Sequence, residues 1–169
     1  MIKLRKIEPS DLPFLYQWEN DASVWADGSN HNPLSQADLR DYIESTTGDI
    51  YRDGQLRLII EEHTSNIKHQ TSNVTFGCID LFDFDPRNRR AALGMYIAPD
   101  ARSKGVGKAA LQALEEYAFG HLNLRVLYAV ISTANAPCSA IFRSAGYNPS
   151  TPLSSWTLES DAVLWLKAK

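Results

Sequence analysis

The segment Ala91–Ile131 reads AALGMYIAPDARSKGVGKAALQALEEYAFGHLNLRVLYAVI. Its first part, Ala91–Ala98, is a nearly continuous apolar run that ends at Pro99, as expected of a central strand. An amphipathic helix follows, and Leu124–Ile131 is a second apolar strand. Because a helix connects the two strands, they must run parallel in one sheet. The segment therefore predicts an α/β protein.

Further elements are predicted on both sides of this unit. The predicted strands are, in chain order, Ile2–Ile7, Leu56–Glu61, Val74–Phe84, Ala91–Ala98, Leu124–Ile131, Trp156–Glu159 and Ala162–Leu166. Two early helices begin at Ser10-Asp11 and at Ser35, and a late one spans Ala136–Ala145. His63–Asn73 is long for a hairpin and is predicted to be a surface loop. The order β-α-α-β-β-β-α-β-α-β-β predicts one domain over residues 1–169, with a mixed sheet of about seven strands flanked by helices.

The composition is that of an ordinary globular protein. The chain has 169 residues, of which 44% are hydrophobic and 22% charged, and no apolar run is long enough to span a membrane. The first residues lack the apolar core of a signal peptide. Cys78, Cys138 and the four histidines show no metal-ligand spacing. We therefore expect a cytoplasmic protein with no metal site and no nucleic-acid or membrane partner.

Charge is distributed unevenly along the chain. Residues 1–85 hold 15 acidic and 7 basic residues, a net charge of −8, whereas residues 86–169 hold 5 acidic and 10 basic residues, a net charge of +5. The first half suits a cationic partner and the second half an anionic one. Ordinary drift of surface charge would produce the same asymmetry, so both interpretations stay open.

The most informative motif is RSKGVGK, residues 102–108, between the central strand and the helix. Gly105 and Gly107 leave backbone N–H groups free to converge on an anion, and the helix N-terminus adds unpaired donors. Three cations surround the same position: Arg102, Lys104 and Lys108. The motif lacks the ending of nucleoside-triphosphate loops and the spacing of the dinucleotide fingerprint. It therefore indicates a pyrophosphate cradle, unless the glycines merely form a turn that starts the helix.

Arg102-x-x-Gly105-x-Gly107 resembles the acetyl-CoA motif, Gln/Arg-x-x-Gly-x-Gly/Ala, of the GNAT family of N-acetyltransferases. The segment Asp85–Pro99 is similar to the strand pair before this motif in the branch of spermidine and ribosomal-protein N-terminal acetyltransferases. Further segments also fit this branch: Trp18-Glu19-Asn20-Asp21, Tyr117-Ala118-Phe119 and Asn135–Tyr147. The resemblance covers nearly the whole chain in the right order. It implies the GNAT fold and acetyl-CoA as co-substrate.

The resemblance also assigns residues to acetyl-CoA. Met95, Tyr96 and Ile97 should lie on a splayed strand whose backbone pairs with the pantetheine arm like an added strand. Asn135 would hydrogen-bond the pantetheine, although the same side chain would serve as an Asx cap of the following helix. Phe142 would complete this side of the site. The pyrophosphate would be held by Arg102, Ser103, Lys104, Gly105, Val106, Gly107 and Lys108.

Two positions depart from the family pattern. Phe142 stands where members often carry a Tyr that protonates the CoA thiolate, and Ala92 stands where many carry a Glu that helps deprotonate the amine. General acid or base catalysis contributes about 10²–10⁴-fold, and positioning of the reactants can contribute more. Ser139, on the same helix face as Phe142, is a substitute donor. Asp80 and Asp83 are substitute proton acceptors, and all three are equally compatible with ordinary surface roles.

The sequence thus predicts direct transfer of an acetyl group from acetyl-CoA to a primary amine in a ternary complex. The acidic first half favours a cationic acceptor, which is a small amine, a polyamine or a peptide N-terminus. Asp21, Asp27 and Asp38 form a sparser set of acids than a dedicated polyamine site should have, which favours a peptide or small amine. The two departures leave a rival, an acyl-CoA-binding GNAT-like protein with weak or lost catalysis. Whether the chain forms a homodimer stays open.

Overall fold

The computed structural model of the protein describes residues 1–25, 32–65, 71–157 and 160–169. The strands of these residues form one seven-stranded sheet with the order β1-β2-β3-β4-β5-β7-β6. They are β1 (Ile2–Lys6), β2 (Leu56–Ser65), β3 (Thr71–Asp85), β4 (Arg90–Ile97), β5 (Val126–Ser132), β6 (Asn148–Leu153) and β7 (Ala162–Ala168). The helices are α1 (Leu12–Glu19), α2 (Gln36–Ser45), α3 (Ile50–Asp53), α4 (Val106–Glu115) and α5 (Ala136–Ser144). No helix of the described residues is long and apolar enough to cross a membrane.

Neighbouring strands are antiparallel except for β4 and β5. Those two strands are parallel, with α4 connecting them, which confirms the fold class and the parallel unit predicted from the sequence. A π-helical turn, Glu116–His121, extends α4 before the chain enters β5. The sheet is therefore mixed and holds as many strands as expected.

Two hydrophobic cores lie on opposite faces of the sheet. Leu58 and Ile60 of β2 belong to the larger core, which α4 and α5 cover, whereas Ile59 between them belongs to the smaller core. Leu15 and Trp18 contribute α1 to this smaller core, where α2 also packs. The division follows from the alternation of side chains along a strand. Both faces of β2 are consequently buried around Leu58–Ile60.

The helix-start signal at Ser35 forms the expected cap, whereas Asp11 precedes α1 without a side-chain capping hydrogen bond. Ser35 and Asp38 make a reciprocal capping box at α2, in which the Ser35 hydroxyl accepts from the Asp38 N–H at 3.1 Å. Pro13 lies in the first turn of α1, where a missing N–H costs nothing. Gly105 precedes α4 with φ of +79°, a left-handed conformation that favours glycine.

The predicted closing hairpin is wrong in its first strand. Trp156 lies outside any strand, and residues 158–159 lie outside the described residues. The strand that pairs with β7 is instead β6, Asn148–Leu153, which contains Pro149 and Pro152. Proline is disfavoured inside a sheet, but β6 is at the edge of the sheet, where a missing N–H is tolerated.

Two other boundaries differ from the sequence prediction. The pairing of β2 with β3 continues to Ser65 opposite Thr71, so much of the predicted loop His63–Asn73 is strand. Residues 66–70 lie outside the described residues. The helix α3 was not predicted from the sequence. It is a single turn that Asp49 caps by accepting from the Tyr51 N–H at 2.9 Å. The short length of α3 leaves almost no periodic signal.

Gly77 on β3 offers a test of how closely β3 and β4 pack. Its φ is +152°, and a Cβ atom there would lie 2.0 Å from the Tyr96 carbonyl oxygen. Gly77→Ala should therefore push the strands apart and lower the free energy of unfolding by about 1–3 kcal/mol. Gly120→Ala is the control, because a Cβ atom there meets nothing within 4 Å. Urea unfolding measures both, and equal midpoints for the two variants would contradict the packing described here.

Candidate functional site

The strands β4 and β5 pair over only three residues and then diverge. The parallel register of β4 and β5 covers only Arg90, Ala91 and Ala92, opposite Val126, Leu127 and Tyr128. Beyond it, β4 stays paired with β3 as far as Ile97, and β5 stays paired with β7 as far as Ser132. Residues 93–97 therefore have a strand neighbour on one side only. We call the point of divergence, at the Ala92–Tyr128 pair, the fork.

The family resemblance predicts that Met95, Tyr96 and Ile97 lie on a splayed strand, and in the register these three residues lie beyond the pairing with β5. A strand with one unpaired edge presents a row of backbone N–H and C=O groups. An extended ligand that carries amide groups can add to such an edge as a further strand. The open edge of β4 is thus suited to an extended amide-containing chain.

Residues 102–105 form a turn at the open end of β4. Ser103 and Gly105 adopt positive φ values of +59° and +79°, which turn the chain sharply into α4. Residues 102–105 and Lys108 are exposed, and Gly105, the N-cap of α4, has no side chain to cap the first N–H groups of the helix. The turn thus combines unpaired donors, a helix N-terminus and the cations Arg102, Lys104 and Lys108. An anion would find both charge and hydrogen-bond donors here.

Gly107 has a different environment from Gly105. Gly107 is buried, and a Cβ atom there would lie 3.1 Å from Ile141 Cδ1 and 3.3 Å from Met95 Cε. Its missing side chain lets the start of α4 pack against β4 and α5. A Cβ atom on Gly105 would meet nothing within 4 Å. Of the two glycines, Gly105 faces open space and Gly107 is a packing residue, as is its buried neighbour Val106.

Arg102 turns back toward the strand. Its Nε donates to the Ile97 carbonyl at 2.9 Å, and its guanidinium lies 6.0 Å from the centre of the Tyr96 ring. The Tyr96 hydroxyl donates to Asp21 Oδ2 at 3.4 Å, and its ring lies 5.6 Å from that of Trp18. Burial raises the pKa of Tyr96, and the Asp21 carboxylate raises it further. One tyrosine thus links the turn at residues 102–105 to the segment that follows α1.

Asn135 lies where β5 gives way to α5. Its side-chain oxygen accepts from the Cys138 N–H at 3.2 Å and caps α5. The capping alternative that the sequence left open is therefore realised, and a contact between Asn135 and a ligand stays a prediction. The cap also places the start of α5 beside the open end of β5.

Phe142 and Ser139 share one side of α5 but differ in burial. Phe142 is buried in the larger core, where its ring packs edge-on against Tyr147 at 4.8 Å between centroids. Ser139 is half-buried. Position 142 therefore carries no hydroxyl group that could donate a proton. Whether Ser139 supplies it stays a prediction.

Asp80 belongs to an ion-pair network on the face of the sheet that α1 and α2 cover. Arg57 donates to both Asp80 oxygens, at 2.9 and 2.7 Å, and also pairs with Glu19 of α1. Burial lowers the pKa of Arg57, but the negative groups around it, Asp80 foremost and Glu19 among them, together outweigh burial and raise that pKa well above its usual value. The network joins α1 to β2 and β3. It also engages both oxygens of Asp80 in hydrogen bonds with Arg57.

Asp83 is more accessible than Asp80. It is exposed at the irregularity between β3 and β4, with φ of +46°. Asp80, Asp83 and Asp53 also line a groove of about 590 Å³ beside β3, together with Tyr42 and other residues. The Asp53 oxygens accept from Thr46, Thr47 and Gly48. Of the three carboxylates, Asp83 thus keeps the freest access to solvent.

The other reactive side chains of the described residues show neither an activated thiol nor a metal-binding arrangement. Cys78 is buried, and burial raises the pKa of its thiol to about 12, so it stays protonated at neutral pH. Within the described ranges, no group of three or more His, Cys, Asp or Glu side chains is arranged to hold a metal ion. His31, His69 and Asp27 lie outside the described residues. These observations leave the fork, the turn at residues 102–105 and the ion-pair network as the candidate site.

Sequence reasoning missed Arg57 and Glu19 as partners of Asp80. A usable signal was present, because Arg57 and Asp80 each interrupt an apolar strand. Charged residues inside such strands are rarely buried without a partner. The register now shows why they meet, since Arg57 lies directly opposite Asp80.

Comparisons with known proteins agree on one relationship. The family description "Acetyltransferase (GNAT) domain" matches residues 2–148. Spermidine N(1)-acetyltransferase of Escherichia coli strain K12 is 26% identical over 150 residues, which cover 87% of this chain and 73% of that protein. The enzyme of the same name from Vibrio cholerae serotype O1 is 20% identical over 146 residues, or 86% of this chain and 78% of that protein.

Solved structures show the same fold. The crystal structure of spermidine N-acetyltransferase from Vibrio cholerae in complex with CoA and spermine superposes with a TM-score of 0.85 at 19% identity. The match covers 99% of this chain and 95% of that one. A structure described as a probable acetyltransferase superposes with a TM-score of 0.80 at 21% identity, over 99% and 93% of the two chains. At these identities the likeness concerns the fold.

The ion-pair network provides a stability test. Arg57→Met leaves the part-buried carboxylates of Glu19 and Asp80 without a countercharge and should lower the free energy of unfolding by about 3 kcal/mol. Arg52→Met, at an exposed position of α3, is the control and should change it little. Adding Glu19→Gln and Asp80→Asn to Arg57→Met should recover most of the loss. Urea unfolding decides, and equal losses for Arg57→Met and Arg52→Met would refute the network's importance.

Proposed function

The chain belongs to the acetyltransferase (GNAT) family, and we propose that it transfers the acetyl group of acetyl-CoA directly to a primary amine of a polyamine. The observation that carries this proposal is the continuity of two features. The open edge of β4 leads, through one short helical turn at Pro99–Ala101, to the cationic turn at residues 102–105. An anion-binding turn joined to an open strand edge suits a ligand with a phosphate end and an extended amide-containing arm.

The site fits acetyl-CoA on structural grounds. The space above Gly105 is open, so phosphate oxygens can approach the first N–H groups of α4, with Lys104 and Lys108 nearby. The pantetheine arm would then run along residues 93–97 of β4. Five strand residues span about 17 Å, so an arm anchored at the turn reaches the fork. The reacting end of the arm would lie there, and Asn135 and Phe142 would border it.

The chemistry needs positioning more than acid–base groups. The amine nitrogen attacks the thioester carbonyl carbon, a C–N bond forms and the C–S bond breaks. Backbone N–H groups of β4 would polarise the carbonyl oxygen. Alignment of a neutral amine with the thioester can supply about 7–11 kcal/mol of the barrier reduction. Catalysis thus tolerates Phe142 and Ala92 in the positions where a tyrosine and a glutamate are often found.

The structure supports the three candidate catalytic residues, Ser139, Asp80 and Asp83, to different degrees. Asp83 is exposed and can approach a charged amine, whereas both Asp80 oxygens are held by Arg57. Ser139 is half-buried on the same helix as Phe142. We therefore assign the ammonium-binding role to Asp83 and treat Asp80 as the anchor of Arg57.

A polyamine is the acceptor that the observations favour. Asp80, Asp83 and Asp21 lie on the face of the sheet that α1 and α2 cover, which extends the sparse acidic set seen in the sequence. The curated relatives are spermidine acetyltransferases, which shifts the balance away from the peptide or small amine first favoured. The chain would act as one domain over residues 1–169. A cytoplasmic setting is consistent with its two free cysteines, Cys78 and Cys138.

A chain that binds acetyl-CoA with weak or no transfer is the second candidate. Phe142 and Ala92 favour it, because both usual proton-transfer side chains are absent. Release of CoA thiol in the presence of spermidine separates the two candidates. Sustained release supports the enzyme, and binding of acetyl-CoA without release supports the binding protein.

Acetyl-CoA should raise the melting temperature, because a ligand selective for the native state adds about 2.7 kcal/mol of stability at 100 times its Kd. Gly105→Asp should abolish this shift by placing a negative charge where the phosphates bind. Gly54→Asp is a matched control, since Gly54 has φ of +71° and Gly105 +79°, both facing open space. Thermal unfolding with and without acetyl-CoA measures the effect. An undiminished shift in Gly105→Asp would remove the turn from the binding site.

Salt should separate a polyamine acceptor from a simple amine. An acidic acceptor side speeds the encounter with a multiply charged amine, and this attraction fades as the Debye length falls from about 10 Å at 0.1 M salt to about 3 Å at 1 M. The kcat/KM for spermidine should therefore fall with salt more steeply than that for propylamine. Initial rates at constant pH measure both. Equal salt dependence would mean that the charge asymmetry of the chain plays no part in acceptor choice.

A further inference from the structure

Tyr128 holds a special place in the sheet. It is the last residue of β5 that pairs with β4, opposite Ala92, and the strands diverge directly after it. Its neighbours Leu127 and Ala129 point into the larger core. Side chains alternate along a strand, so Tyr128 points to the opposite face, which carries Asp80 and Tyr96. The phenol therefore lies at the fork, on the face of the sheet where the amine acceptor would bind.

The surroundings of Tyr128 leave it accessible. The side chain is half-buried, and among the described residues it belongs to neither hydrophobic core. Ala92 beside it contributes only a methyl group. Phe82, the partner of Ala92 on β3, is 39% exposed and borders the same surface. A small molecule that reaches the fork from this face would meet the phenol.

Tyr128 also supplies the hydroxyl group among the paired residues of the fork. The paired positions of β4 and β5 are Arg90, Ala91, Ala92, Val126, Leu127 and Tyr128. Only Arg90 and Tyr128 of these six carry polar side chains, and Arg90 pairs with Asp85 at 3.3 Å. Proton transfer at the fork by one of these side chains thus falls to Tyr128.

The surroundings of Tyr128 favour the neutral form of its hydroxyl. Burial raises the pKa of the phenol, and the carboxylates of Asp83 and Asp85 raise it further, whereas the Arg90 guanidinium lowers it. A neutral phenol offers one proton to donate and lone pairs that accept. It can therefore serve as donor and acceptor in one step.

We infer that Tyr128 carries the proton from the acceptor amine to the CoA sulfur, an inference that rests on the proposed acetyl transfer. As the C–N bond forms and the C–S bond breaks, the phenol oxygen takes the proton that the nitrogen releases. The phenol's own proton passes to the departing sulfur. The products are the amide and the CoA thiol, and Tyr128 is unchanged. One side chain thus fills both roles left vacant by Phe142 and Ala92.

Tyr128→Phe tests the inference, with Tyr117→Phe as the control for loss of a half-buried hydroxyl on the far face. We expect kcat to fall about 10²-fold in Tyr128→Phe, as for loss of a general acid–base group, and to stay unchanged in Tyr117→Phe. The melting shift with acetyl-CoA should persist in both variants. A kcat for Tyr128→Phe within twofold of the unmodified protein would overturn the inference. A wild-type chain with neither a melting shift nor CoA release would instead refute the proposed function itself.

Fluorination separates proton transfer from packing. Replacing the Tyr128 ring by 3,5-difluorotyrosine lowers the phenol pKa with little change in shape, so the alkaline decline of kcat should move to lower pH. The ¹⁹F resonance of that ring should also shift when CoA and spermidine are added together, a readout that needs no turnover. An unmoved pH profile, or a resonance indifferent to both ligands, would show that Tyr128 does not contact the reacting groups.

Discussion

The structure depends on one interrupted set of hydrogen bonds, the parallel pairing of β4 with β5 that ends at Ala92 and Tyr128. Each strand keeps its other neighbour, so the divergence exposes one edge of β4 without dissolving the sheet. Gly107 lets α4 approach the diverging strand closely, and Asn135 caps α5 at the end of the other. The opening is thus held between two well-packed halves. Close packing on both sides favours a preformed opening, and a preformed site has a lower ordering cost of binding.

The fold was readable from the sequence where the hydrophobic pattern was strong. The buried strand before Pro99, the helix after Gly105 and the second apolar strand define the parallel unit without further information. The pattern failed at β6, because Pro149 and Pro152 weaken the local signal while the tertiary position of the strand tolerates them. It failed at α3 because one turn has no measurable period. Local rules therefore predicted the centre of the sheet better than its margin.

The site shows a similar division. The anion-binding turn could be predicted, since Gly105 and the nearby cations are contiguous in sequence and act through the backbone. The partners of Asp80 could not, because Glu19 and Arg57 come from separate elements that only the register brings together. Tyr128 could not be predicted as a site residue for the same reason. Nothing in its immediate sequence marks the place where pairing with β4 stops, and its position gains meaning only from that partner strand.

The prolines of β6 have a consequence for self-association. An edge strand with a full row of donors is a template on which another chain can extend the sheet, and this is a common route to aggregation. Pro149 and Pro152 remove two donors from the six-residue strand that borders the sheet. Growth of a continuous intermolecular sheet across this border is consequently disfavoured. The same two prolines that make the strand hard to predict from the sequence thus disfavour polymerisation of the folded chain through it.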